Sequence, residues 1–173
     1  MLKAGRNFYP SFMQKLKNHT LKEYLDRLST REPIPGGGSA AALVAALGAS
    51  LLSMATNYSI SPKKTKTHNI KMKKSLVKSE KIRKRLLELV DLDAKAYLAI
   101  VKTKHKSAKI KNAALKKGRK VPLEVCRLCY AAVELAPMLI KEGNHHLASD
   151  VKAGVEMLEA AFNGAITMVK ANR

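Results

Sequence analysis

Apolar positions recur at steps of three and four along most of the chain, the period of amphipathic helices. Thr20 and Glu23 have the spacing of a capping box, and Leu21, Tyr24, Leu25 and Leu28 follow at helical intervals. This predicts a short helix over Leu21 to Leu28, stopped by Pro33 and Pro35. Ser39 then reads as the N-cap of a second helix, in which Ala41, Ala45, Ala49 and Ser53 line up four apart while Leu43, Leu47 and Leu51 form another row. A third, long helix is expected from about Asn69 to Lys102, with Leu86, Leu89, Val90, Tyr97, Ile100 and Val101 along one face. Lys102 to Lys120 reads as a polar, basic linker. Pro122 suits the start of a fourth helix that runs to Lys141 and closes at Gly143, kinked or split at Pro137. A last helix begins near Ser149, where Val151, Val155, Leu158, Phe162, Ala165 and Val169 alternate steps of four and three. The expected fold class is all-α, an up-down helical bundle around a buried central helix rich in Ala, Gly and Leu.

Two features of this pattern ask for a function. From Pro33 to Ile60 no residue is charged, and a helix apolar all round belongs either in lipid or at the centre of a bundle. Its Ala, Ser and Gly content, with Asn57 and Ser59 near the end, makes insertion marginal, and small residues four apart suit close helix approach. The core reading is preferred, and no membrane partner is expected. The second feature is Asp93, four residues after Leu89 and four before Tyr97. It puts a carboxylate in an apolar stripe, where burial raises its pKa, while Asp91 points elsewhere.

Composition narrows the classes further. With 173 residues the chain fits one domain able to close a core without disulfides or metals. Its first residues lack the apolar core and cleavage site of a secretory signal, so a cytoplasmic location is expected. The net charge of +20 is regional. Lys63 to Arg85 holds eleven Lys/Arg against Glu80, and Lys102 to Lys120 holds nine with no acid. A solvated face explains these segments. Nucleic acid bound through phosphates is the other possibility, although base-stacking aromatics and recognisable binding signatures are missing there.

Cys126 and Cys129 have a CxxC spacing, but within a helical stretch they alternate with Val125, Leu128 and Ala132, so core packing is preferred over zinc and no metal is expected. The glycines at 36–38 precede a helix, as in a phosphate cradle, yet no Lys-Ser/Thr follows and no strand leads in, which argues against a nucleotide loop.

"PIPGGGSAAALVAALGASLLSM" closely resembles the Pro-Thr-Pro-Gly-Gly-Gly-Ser-Ala-Ala-Ala opening of the formiminotransferase-cyclodeaminase C-terminal domain family, which includes free-standing methenyltetrahydrofolate cyclohydrolases. "DLDAKAYLAI", "VPLEVCRLCYAAVELA" and "GNHHLASDVKAGVEMLEAAFNGAITMVKAN" resemble three further blocks of that family, in the same order. Ile34 stands where the family pattern has Thr, and His145 and His146 where it has Pro-Asn. The resemblance covers 20–173 as one helical domain and leaves 1–19 as an N-terminal extension.

What the resemblance implies is a homodimer that binds a tetrahydrofolate derivative as substrate near the dimer interface and works on its one-carbon unit. One family reaction closes the methenyl bridge from a formimino group with loss of ammonia. The other hydrolyses 5,10-methenyltetrahydrofolate to 10-formyltetrahydrofolate, and it is preferred because no formiminotransferase segment accompanies the block. Asp93 is the expected catalytic base and acid. Gly36, Gly37, Gly38 and Ser39 match the substrate loop, with Tyr97, Asn144, Ser149 and Asp150 as further substrate contacts. Folate tails carry glutamates, often several, so Lys63, Lys64 and Lys66 are expected to steer a polyglutamylated substrate. The alternative from another class is a catalytically idle helical dimer that binds nucleic acid through its Lys-rich segments.

Overall fold

A computed structural model describes residues 15–171. Among these, seven α-helices follow in order: α1 Leu21–Leu28, α2 Gly37–Ser59, α3 Lys66–Val101, α4 Ala108–Gly118, α5 Lys120–Val133, α6 Ala136–Glu142 and α7 Ala148–Ala171. Of the expected extension, residues 1–14 lie outside the described residues, while Leu16–Asn18 form a 3-10 turn against α3 that buries Leu16. There Lys17 N–H donates to Asp91 at 3.3 Å, so Asp91 is buried under this turn, away from the face that carries Asp93.

α2 is the core helix that its uncharged sequence predicted. It is long and apolar enough to cross a membrane, but most of it is covered by its own protein, chiefly by α3 and α7. Ala42, Ala45, Ala49 and Leu52 are fully buried, and the small residues bring neighbouring backbones close. A Cβ added at Gly48 would lie 2.7 Å from the Gly154 carbonyl oxygen on α7. Toward α3 the contact includes a buried hydroxyl pair, Ser53 Oγ donating to Ser79 Oγ at 2.9 Å. Both partners run antiparallel to α2: Gly38 abuts Asp93 and Ser53 meets Ser79 on α3, while Gly37 meets Met168 and Gly48 meets Gly154 on α7.

Four expectations change. The segment read as a basic linker contains α4, because Ala and Lys are good helix formers and the cations simply face water. α2 starts three residues earlier than Ser39 suggested, with Gly36 as its N-cap and Ser39 inside the first turn. α1 has its capping box, yet Leu21 and Leu25 remain 71% and 58% exposed; the helix meets the bundle along Tyr24 and Leu28. Tyr97 and Val101, expected on the apolar face of α3, are each 45% exposed near its free end. The fourth helix does divide at Pro137, into α5 and α6. Cys126 and Cys129 are buried free thiols, and burial pushes the Cys129 thiol up to about 12.

Candidate active site

Where α2 begins, its first amide groups have no partner in the preceding turn and expose the positive end of the helix dipole. Gly36 and Gly37 carry no side chain to cover that end, and Gly38 lets another chain segment touch the backbone directly. That segment is α3, whose Asp93 lies so close that a Cβ at Gly38 would collide with its carboxylate and sit 2.6 Å from its Cγ. The carboxylate accepts a hydrogen bond from the Ser39 backbone, which pulls its pKa down, but desolvation is the larger effect and pushes it up to about 6. Asp93 therefore passes half-ionisation near pH 6 and is mostly ionised at neutral pH, able to take a proton and return it.

A buried polar pair supports this turn from behind. Tyr24, 4% exposed on α1, shares a 2.9 Å hydrogen bond with the Ser39 hydroxyl, which is fully buried. Burial raises the Tyr24 pKa, and the Asp93 charge adds to the shift. The phenol thus stays neutral next to the carboxylate.

In front of Asp93 opens a cavity of about 350 Å³, bounded by the Pro33–Gly38 segment, by Ala96, Tyr97 and Ile100 of α3, by Gly118 of α4 and by Met168 and Ala171 of α7. Its size lies at the lower end of small-molecule sites, roughly 300–1,000 Å³. Among the described residues no three His, Cys, Asp or Glu side chains converge as a metal site.

The predicted residues fall into two groups. Gly36, Gly37, Gly38, Asp93 and Tyr97 line the cavity, with Ser39 directly beneath it. Asn144 and Lys64 line a separate pocket at the other end of α2, together with Tyr58, Ser59, His145 and His146. Ser149 and Asp150 start α7 at that same end, and Lys63 and Lys66 flank the turn leading into α3. A 23-residue helix, about 35 Å long, separates the two groups within one chain. Asn144 has a local role there: its backbone N–H donates to Ser59 Oγ at 2.9 Å and its side chain accepts from His146 N–H. Sequence reasoning missed the walls supplied by Ile100, Gly118 and Met168. The antiparallel pairing of α2 with α3 and α7 brings Ile100 and Met168 to this end of α2, and α4 folding back on α3 sets Gly118 against Ile100, pairings that no local motif signals.

Comparison with known proteins adds the following. The formiminotransferase-cyclodeaminase family profile matches residues 20–173. Methenyltetrahydrofolate cyclohydrolase of Methylorubrum extorquens is 36% identical over 154 residues, 83% of this chain and 73% of that protein. Formimidoyltransferase-cyclodeaminase of Rattus norvegicus is 28% identical over 92% of this chain, which spans 31% of that longer protein. The crystal structure of formiminotetrahydrofolate cyclodeaminase from Thermotoga maritima superposes with a TM-score of 0.87 at 27% identity, covering 91% of this chain and 80% of that one.

Proposed function

The chain belongs to the formiminotransferase-cyclodeaminase family, and from that premise we propose that it is a tetrahydrofolate one-carbon enzyme that hydrolyses 5,10-methenyltetrahydrofolate to 10-formyltetrahydrofolate. The observation that carries the reading is the Asp93 carboxylate, held near pKa 6 over the glycine turn in a cavity open to a small molecule. Preference for hydrolysis over deamination rests on the 36% identical relative, a cyclohydrolase matched over most of its length.

The chemistry follows from that carboxylate. Ionised Asp93 stabilises the cationic methenyl carbon and takes a proton from the attacking water, leaving a tetrahedral carbon that bears a hydroxyl. As the carbon–N5 bond breaks, Asp93 returns that proton to N5, and the hydroxyl proton leaves as the formyl carbonyl forms on N10. One proton is released overall, and Asp93 ends ionised. Cyclodeamination uses the same group differently, by relaying a proton to departing ammonia.

A homodimer is part of the same reading. Ala40, Val44, Leu47, Leu51, Met54 and Tyr58 form a stripe on α2 at alternating steps of four and three, and none of the six is fully covered; Leu47 is 45% exposed and Tyr58 67%. Paired about a two-fold axis between Leu47 and Leu51, the stripe meets itself, with Tyr58 of the partner subunit beside Ala40. That arrangement carries the far pocket of one copy, with Asn144 and the Lys63–Lys66 turn, toward Asp93 of the other. It reunites the two groups of predicted residues and offers cations to a polyglutamylated tail.

The decisive measurement is the methenyltetrahydrofolate absorbance on adding protein, corrected for spontaneous hydrolysis, beside formiminotetrahydrofolate and an Asp93→Asn variant. Loss of the methenyl signal with wild type alone is the expected outcome. Appearance of that signal from the formimino substrate makes the enzyme a cyclodeaminase, and silence with both refutes the assignment.

A further inference from the structure

The cations of α3 stand on two sides of the helix and are treated differently on each. On the side turned toward α5 and α6 they are paired, Lys71 with Glu142, Lys78 with Glu134 and Arg85 with Glu124. On the side turned to water, positions seven apart, which share one face of a helix, carry Lys74, Lys81, Glu88, Lys95 and Lys102, all exposed. None of these four lysines makes an ion pair among the described residues. Glu88, the acid of the row, is bound by Arg85 at 2.8 Å and has Lys15 and Lys17 nearby. The other acids of α3 are taken elsewhere: Glu80 by Arg83, Asp91 by the Lys17 amide, and Asp93 in the cavity. A surface that meets only water has no reason to sort its charges, and α7 does not, with Lys152, Glu156, Glu159 and Lys170 all exposed.

The helical rise gives the row a rhythm. Lys74 and Lys81 lie about 10 Å apart along the axis, as do Lys95 and Lys102, while about 21 Å separates Lys81 from Lys95, with Glu88 midway. One pair follows the other after about 32 Å. Duplex DNA with its axis parallel to α3 presents phosphate in the same order. Two backbones flank a minor groove about 6 Å wide, a major groove about 12 Å wide follows, and the pattern returns after roughly 34 Å. Long, flexible lysine side chains absorb the small difference in repeat.

We propose that the outer face of α3 is a second binding site, for double-stranded DNA held by its phosphates. Lys74 and Lys81 stand astride one minor groove, Lys95 and Lys102 astride the next, and Glu88 faces the mouth of the major groove between them, where no phosphate lies. The attraction comes from released counterions and is blind to base sequence. A single strand needs aromatic platforms for its bases, and no aromatic stands in the row. A bilayer surface needs apolar side chains to bury, and this side of α3 exposes two large ones, Ile70 and Val77, without an aromatic. The site is separate from the Asp93 cavity and does not depend on the folate reading.

Fluorescence anisotropy with a labelled duplex of about 20 bp, longer than the row, tests this. Wild type should bind with a Kd of about micromolar order at low salt, and four phosphate contacts predict a slope of about −3.6 in log K against log salt, a loss of roughly a hundredfold between 50 and 200 mM. The combined variant Lys74→Gln, Lys81→Gln, Lys95→Gln and Lys102→Gln should weaken binding by at least about a hundredfold. Its control, Lys109→Gln, Lys111→Gln, Lys116→Gln and Lys117→Gln on α4, removes equal charge and should weaken binding by less than about fivefold. All eight lysines are exposed, so both variants should keep the wild-type circular dichroism spectrum. A duplex of about 8 bp, roughly 27 Å long, reaches one lysine pair and should show half the slope. Four results overturn the proposal: equal losses from the two variants, the full slope on the short duplex, tighter binding to a single strand of the same length, or binding to phosphatidylserine vesicles in place of the duplex.

Discussion

At the scale of single residues, the site depends on a charge held where a protein would ordinarily avoid one. Because the folded pKa of Asp93, about 6, exceeds its ordinary value of 3.8, the folded state binds the proton more tightly than the unfolded chain between those limits. Stability is therefore fully present below about pH 4 and falls as pH rises through 6, by an amount on the order of 2–3 kcal/mol. Asp93→Asn keeps an acceptor for the Ser39 amide and removes the buried charge. It should raise the melting temperature at pH 8, leave it nearly unchanged at pH 4, and remove turnover at every pH, whereas wild-type kcat/KM declines below a limb near pH 6. Thermal denaturation and rate profiles over pH 4–8 check both halves. Gly38 gives a second case. Alanine there meets the Asp93 carboxylate, whereas alanine at Gly36 meets nothing within 4 Å. Gly38→Ala should cost about 1–3 kcal/mol and at least two orders of magnitude in kcat by displacing Asp93, and Gly36→Ala should hold the melting temperature within a degree or two.

Elements are held together by backbone proximity as much as by large side chains. At the α2–α7 crossing, Gly48 and Gly154 face one another so closely that a Cβ on either would lie 2.7–3.0 Å from the other's carbonyl oxygen. Alanine is the better helix former by roughly 1 kcal/mol, so propensity alone predicts that Gly48→Ala stabilises α2. Packing predicts the reverse, a loss of about 1–3 kcal/mol as the helices are forced apart, and the sign measured by denaturant unfolding decides between them. This crossing also shows what was legible in the sequence. The uncharged stretch and its four-apart small residues announced a central helix, and Pro137 announced the break between α5 and α6. Asp93 could be picked out because it interrupts a stripe whose period is local. α4 was missed because a helix recognised by its apolar stripe disappears when one side is alanine and the other lysine. The start of α2 was misplaced because Ser39 is a good cap by type, while in the structure its hydroxyl bonds Tyr24 and its own backbone amide is served by a carboxylate more than fifty residues away. Ile100, Gly118 and Met168 could not be assigned to the cavity, since their neighbours are chosen by helix pairing rather than by spacing along the chain.

For the whole molecule, the question is whether one chain contains a complete site. Asp93 and Asn144 lie at opposite ends of α2, and the proposed isologous pairing through the Ala40–Tyr58 stripe would set each beside its counterpart's other end. A charge at the centre of that stripe should prevent pairing: Leu47→Glu is expected to sediment as a monomer with helical content unchanged, since Leu47 is already 45% exposed within one chain. A composite site makes a stronger demand. Asp93→Asn disables one end of every site and Asn144→Ala the other, so each variant alone should be impaired. When the two are unfolded together and refolded, about half of the dimers carry one copy of each, and one of the two sites in such a dimer is intact. Roughly a quarter of wild-type turnover should then return if subunits pair at random. If both ends acted within a single chain, mixing would yield only the average of the two variants. Recovery above that average therefore measures the sharing of the site itself, apart from any effect of either substitution on stability.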